Sequence, residues 1–292
     1  MPKANSIIII SIILAGCGTG TDAPDAWGAF EATEVMVSAE TGGRLIAFNV
    51  SEGVQVKSDF VAGWVDTLPL NLQMRQLESQ KAAILSRLQN AEAQSEIYRE
   101  QKAVAGVELE RTMRMFDDGA ATQRQLDDTE GRIRVLRRQI DASEAQKNSI
   151  RSEARVIDAQ MDELRDRVDR SAIRSPITGT VLAKYAEPGE MASPGMPLFK
   201  LANLDTMYLR AYISGSQLAE ARLGQSATVM FDGPDGAINQ MEGKISWIAS
   251  RGEFTPRTIQ TREERVNTVY AIKVRVHNDG QLKIGMPGEV RF

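Results

Sequence analysis

One cysteine, Cys17, and one histidine, His277, are all that this 292-residue chain offers for thiolate or imidazole chemistry. A lone cysteine makes no internal disulfide, and one histidine leaves too few groups for a Cys–His nucleophile or a Cys/His metal site. His277 stands in Val-His-Asn-Asp-Gly, a strand running into a turn. Asp117 and Asp118 adjoin, but carboxylates on a solvated turn make a poor acid–base pair. The phosphate-cradling pattern GxxxxGK[ST] is absent, so any energy source belongs to another chain. The formal charge of -4, with acids and bases well mixed, lacks the basic face of a nucleic-acid binder. No catalytic, cofactor-binding or metal-binding residue is expected, and the chain reads as a non-enzyme.

The cysteine has a telling address. Lys3 precedes the apolar run from Ile7 to Leu14, and the small residues Ala15 and Gly16 stand just before Cys17. That run is far shorter than the ~20 residues needed to cross a hydrocarbon core. The order Leu14-Ala15-Gly16-Cys17 resembles the lipobox of bacterial lipoproteins. The resemblance implies a signal peptide over residues 1–16, and Cys17 as the first mature residue and the lipidation site. Each buried CH₂ of an acyl chain contributes about 0.8 kcal/mol, and more than one chain makes anchoring stable. A small, polar tether follows over residues 17–27. The plainer alternative is an ordinary cleaved signal with an incidental cysteine.

Three zones follow. Residues from 27 to about 67 are strand-like and punctuated by glycine. Residues 69–170 hold no proline after Pro69 and repeat apolar residues every seven positions. One seam runs Leu70, Leu77, Ile84, Ala91, Tyr98, Ala105, with Met74, Leu88, Leu109 and Phe116 beside it. Lys81, Ser95 and Lys102 interrupt the second series. The pattern restarts as Leu126, Ile133, Ile140, Lys147, Ala154, Met161, Val168, with Leu136, Ser143, Ile150, Ile157 and Leu164. Seams sustained over several heptads predict a coiled coil. Between them Gly119 suits a left-handed cap, and Thr122 with Gln125 forms a capping-box pair. The spacing therefore predicts a hairpin with its tip near 117–122 and arms of about 70 Å. A parallel dimerisation zipper is the alternative. Residues 171–292 are again strand-like, with strands expected near Leu209–Ile213, Ala227–Phe231, Lys244–Ile248, Val269–Val276 and Gly288–Phe292, and a short helix near 216–221.

Two stretches flanking the helices repeat each other: TGGRLIAFNVSEGVQVKSDFVAGWVD from Thr41 and TGTVLAKYAEPGEMASPGMPLFKLAN from Thr178. They are expected in step from Thr41 and Thr178, with Pro188 as one inserted residue. Half a sheet leaves apolar faces and edges open, so the two must meet to close one core. The halves resemble the biotinyl-lipoyl carrier fold. A true carrier presents a lysine between its halves; here the helices take that place, and Gly63-Trp-Val-Asp-Thr67 holds no lysine.

The order signal, half-sandwich, hairpin, half-sandwich, barrel resembles the HlyD-type periplasmic adaptors, or membrane fusion proteins. RSPITGTV (174–181), AEPGEMASPGMPLFKLANLD (186–205) and the closing GMPGEVRF (285–292) carry the likeness. The implied fold is α+β: a long antiparallel α-helical coiled-coil hairpin (69–170) inserted in a split lipoyl-like β-sandwich (39–68 and 171–202), with a β-barrel built from 28–38 and 203–292. A further membrane-proximal domain is expected to be minimal or missing. The resemblance implies an adaptor in a tripartite efflux or secretion system, anchored by lipid in the periplasm. Its implied partners are an inner-membrane transporter, with an ABC-type permease favoured, a TolC-like outer-membrane channel, and further copies of itself, as a hexamer. Family members that dock on such a channel carry an Arg, a Leu and a Ser at the tip. Arg111, Met115 and Thr122 take those places here, two of them changed in identity but not in kind. An envelope-spacing scaffold lipoprotein without a transport role is the alternative reading.

Overall fold

The computed structural model describes residues 24–233, 236–254 and 268–292. The expected signal peptide, Cys17 and most of the tether lie outside the described residues. In chain order the elements are β1 (Ala26–Glu31), β2 (Glu34–Ser38), β3 (Gly43–Phe48), β4 (Gln55–Val56), β5 (Val61–Val65), α1 (Leu68–Asp117), α2 (Gln123–Asp169), β6 (Ala172–Arg174), β7 (Gly179–Lys184), β8 (Met191–Ala192), β9 (Pro197–Ala202), β10 (Thr206–Ser214), a 3₁₀ turn (Gln217–Ala219), β11 (Ser226–Asp232), β12 (Ile238–Ile248), β13 (Glu253–Phe254), β14 (Thr268–His277) and β15 (Pro287–Arg291). They form two compact units, one spanning Glu34–Ala202 and the other joining the residues up to Thr33 with Asn203–Phe292.

In the first unit the two half-motifs interleave. One sheet runs β2-β9-β7-β4 and the other β6-β5-β3-β8, so each half lends its shortest strand to the other half's sheet. The exchange is reciprocal in its hydrogen bonds. Leu45 N donates to Glu190 O and Gly189 N to Leu45 O, while Val181 N donates to Val54 O and Gly53 N to Val181 O. These pairs correct the expected alignment by one residue. Gly43 corresponds to Gly179, Leu45 to Val181 and Gly53 to Gly189, with no insertion at Pro188. Backbone register, rather than the shared Thr-Gly letters, decides which positions are equivalent. The inward positions agree: Leu45 and Val181, Val56 and Ala192, Ala62 and Leu198, and Val65 and Leu201 are all buried in one core. Phe48 from the first half and Phe199 from the second meet there, with ring centroids 6.0 Å apart.

The same symmetry relocates residues 34–38, which were expected in the barrel. β2 pairs antiparallel with β9, just as β6 pairs with β5. Each half thus has a leading strand on the outer edge of the partner half, and β2 belongs to the sandwich. The tether is also shorter than expected, since β1 already begins at Ala26.

Between the halves stand α1, of 50 residues, and α2, of 47. At 1.5 Å per residue they are about 75 and about 70 Å long. Asp66 starts α1 by accepting the Leu68 amide (2.9 Å), and Pro69 needs no amide partner in the first turn. The arms pack antiparallel, and the expected seam positions are buried or half-buried throughout. Ile84, Ile150 and Ala154 form a buried cluster, joined by Leu88, Ala91 and Ile157.

In the second unit, pairing runs β10-β1-β15-β11-β12-β14 and closes from β14 back to β10, giving a six-stranded barrel with β13 added at β14. Closure removes exposed sheet edges. Inward residues alternate along the strands; Phe30, Met207, Leu209, Ile213, Val229, Ile245 and Ile272 are fully or almost fully buried. Phe30 meets Phe231 edge to face, with centroids 6.2 Å apart.

Candidate functional site

The turn joining the arms is built by two local devices. α1 ends in a Schellman motif: Gly119, at φ 74°, donates to Phe116 O (3.0 Å), and Ala120 donates to Met115 O (2.7 Å). α2 begins with a full capping box. The Gln125 amide donates to Thr122 Oγ1 (3.3 Å), and the Thr122 amide donates to Gln125 Oε1 (2.8 Å). With both helix ends satisfied by their own residues, the tip is defined without a partner.

Arg111 and Met115 stand one turn apart on the last stretch of α1, both largely exposed. The Arg111 guanidinium reaches Glu108 at 3.4 Å, an exposed pair that leaves most of its donors to solvent. Met115 is brought next to the turn because its carbonyl accepts from Ala120 and Ala121. Thr122 differs: its hydroxyl is committed to the cap. The tip therefore offers a planar guanidinium fork and an adaptable thioether side chain. Met113 is exposed as well, a second tip thioether that the three-position motif did not include.

Midway along the hairpin lies a polar layer that seam reading left unexplained. Ser95 and Lys147 occupy core positions with 0% and 7% exposure. Glu144 answers both: its Oε1 accepts from Lys147 Nζ (2.8 Å), Ser95 Oγ (3.2 Å) and Arg99 Nη2 (2.6 Å). Ser143 Oγ donates across to Ala91 O (3.3 Å), and nearer the hairpin base Lys81 pairs with Asp158 (2.6 Å). A polar layer in an apolar seam penalises every sliding of one arm against the other, so it sets register.

The Lys147 hydrogen bond holds the Glu144 carboxyl below its usual range, helped by Ser95 and the charges of Lys147 and Arg99 against partial desolvation. A carboxylate with a lowered folded pKa adds stability above the unfolded carboxylate range and loses it as pH falls through the folded value. Glu144→Gln is therefore expected to lower the thermal midpoint at neutral pH by a few degrees. The gap from wild type should close as pH falls below the ordinary carboxylate range. Melting followed by circular dichroism at 222 nm from pH 7 to pH 3 checks this; a gap that does not change with pH would remove Glu144 as the titrating group.

No protein-family model matches the chain. Relatives do, along almost its whole length. The chain is 28% identical to UPF0194 membrane protein YbhG of Salmonella typhi, over 98% of this chain and 96% of the relative, and 29% identical to YbhG of Salmonella gallinarum over 91% and 87%. Among solved structures, MacA from Actinobacillus actinomycetemcomitans superposes with a TM-score of 0.64 at 18% identity, over 91% of this chain and 76% of MacA. The membrane fusion protein Spr0693 of Streptococcus pneumoniae R6 superposes at 0.56 and 14%, over 91% and 96%. The chain has the fold of these membrane fusion proteins, the HlyD-type adaptor fold. Its distinguishing feature, a sandwich split by a helical hairpin, covers Glu34–Ala202, and a six-stranded barrel accompanies it. Among the described residues, no helix is long and apolar enough to cross a membrane, and no group of His, Cys, Asp and Glu is placed to hold a metal ion.

Proposed function

We propose that this chain is the periplasmic adaptor of a tripartite efflux or secretion system, held to the inner membrane by acyl chains on Cys17. It links an inner-membrane transporter, of the ABC type, to a TolC-like outer-membrane channel, and works as a hexamer. The observation that carries the reading is the rooted hairpin: a stiff antiparallel pair of about 70 Å rising from one sandwich whose halves cannot close without each other. Such a rod supplies reach across an aqueous gap. It carries no transport chemistry of its own, so its work lies in contacts at its ends.

At the far end the contacts fall to Arg111 and Met115, with Thr122 holding the start of α2 in place. A planar guanidinium fork suits carboxylates or carbonyls on a channel's rim, and the thioether fits an irregular apolar notch. Arg111→Asp reverses the charge on an exposed helix position and leaves the seam intact. It is expected to reduce site-specific cross-linking between the tip and the channel at least tenfold, with the fold unchanged by circular dichroism. Undiminished cross-linking would exclude Arg111 from docking. Deleting the gene should raise intracellular retention of at least one compound across a broad toxic panel. Unchanged retention together with an altered spacing between the membranes would instead support a scaffold.

A further inference from the structure

β14 turns three basic side chains to the outer face of the barrel: Lys273, Arg275 and His277. Their surroundings differ. Lys273 is answered by Glu31 at 3.2 Å, and Arg210 on the neighbouring strand by Glu253 at 3.1 Å. Arg275 has no such answer among the described residues. The β12–β14 register sets it directly opposite Lys244, another exposed cation with no ion pair among the described residues. Like charges opposed across a ladder repel and weaken the sheet. On the other side of β14, Tyr208 stands opposite Arg275 and Thr206 opposite His277. Thr206, Lys244, Arg275 and His277 line one open groove of about 380 Å³, floored at Gly243. Among the described residues that line the groove stands one carboxylate, Glu242, which accepts from the Ser226 hydroxyl at 3.3 Å.

We infer that this groove binds a phosphate group, as a phosphomonoester or phosphodiester. An anion seated between Lys244 and Arg275 turns a repulsive pair into two attractive ones. The guanidinium supplies a bidentate fork and the ammonium a point charge, while Thr206 and His277 offer further donors at the rim. Glu242 narrows the choice, because it disfavours extended polyanions and leaves room for one phosphate. The inference stands apart from the adaptor reading, since it concerns the barrel alone and needs no channel or transporter.

The phosphate source is either a free phosphorylated solute or a phospholipid headgroup, and two titrants separate them. Isothermal titration of the full-length protein, in a phosphate-free buffer at low salt, is run with inorganic phosphate and with glycerophosphoglycerol, the headgroup diester. Saturable binding of at least one titrant is expected, weakened at least tenfold in both Arg275→Ala and Lys244→Ala. Lys283→Ala, an exposed lysine outside the groove, should bind as wild type does. Binding of inorganic phosphate assigns the groove to a free solute; binding of the diester alone assigns it to a headgroup. The substitutions lie on the solvent face of an intact barrel, and a thermal midpoint no lower than wild type confirms folding. No heat from either titrant, or equal affinity in Arg275→Ala, overturns the inference.

Discussion

Gly63→Val is expected to destabilise the sandwich by about 3 kcal/mol, lowering its thermal midpoint by about 10 °C, while the barrel keeps its own transition. A Cβ at Gly63 would lie 2.3 Å from the Ala47 carbonyl oxygen and 2.7 Å from the Phe48 ring. The first contact is backbone, so no change of rotamer relieves it. The position is also enclosed, because β5 pairs with β3 on one side and β6 on the other. The near-symmetry of the halves explains the glycine. Phe48 faces Gly63 across one sheet, and at the equivalent place in the other Lys184 faces Phe199. Each cross-strand pair holds one phenylalanine, and the two rings share the centre of the core. A third bulky side chain has no volume left to occupy. Gly53 is the control: at φ 80° with nothing within 4 Å of a Cβ, Gly53→Ala meets only backbone strain, about 1 kcal/mol. Calorimetry separates the cases; equal midpoints for the two variants would mean that Gly63 is not tightly enclosed.

This contrast shows what kind of information a linear reading carries. Both glycines look alike in sequence, as punctuation between strands. One is a turn glycine, readable from local rules. The other is set by a ring in a neighbouring strand, readable only once the pairing is known. The hairpin was legible because its signals are local and periodic. A seven-residue repeat marks the faces, and Gly119 and the Thr122–Gln125 box mark the ends. The polar layer was half legible: Ser95 and Lys147 could be seen to break the seam, but Glu144, which accepts from both, lies outside it, as does Arg99, its third donor, on the other arm. β2 was misplaced for a related reason. A five-residue strand bears no mark of its partner, and β9 lies on the far side of the whole hairpin. At the tip, sequence reading singled out Arg111, Met115 and Thr122 as docking candidates but could not tell that the Thr122 hydroxyl is occupied by the cap while Arg111 is largely solvated.

If reach is what the hairpin contributes, length should matter more than the identity of its outer residues. Removing residues 101–107 together with 132–138 takes one heptad from each arm at matched heights. The cross-arm contacts of Lys81 with Asp158 and of Ser95 with Glu144 fix that matching. A seven-residue deletion keeps both seams in phase, so the shortened arms still pack. It spares the polar layer at Ser95, Arg99, Glu144 and Lys147, and it spares the tip from Arg111 to Gln125. The rod loses about 10 Å. The expected result is a folded protein, with helicity per residue and melting close to wild type, whose tip no longer cross-links to the outer-membrane channel and whose cells retain the same compounds as a gene deletion. The deleted segment also carries the exposed Val104, Val107 and Val135, so length must be separated from surface. A variant that restores the heptads with different, polar outer residues recovers cross-linking if distance is the requirement. It fails to recover if those valines are the contact. A shortened protein that still joins both partners at full efficiency would leave the hairpin without a spanning role, and the adaptor reading would then need another basis.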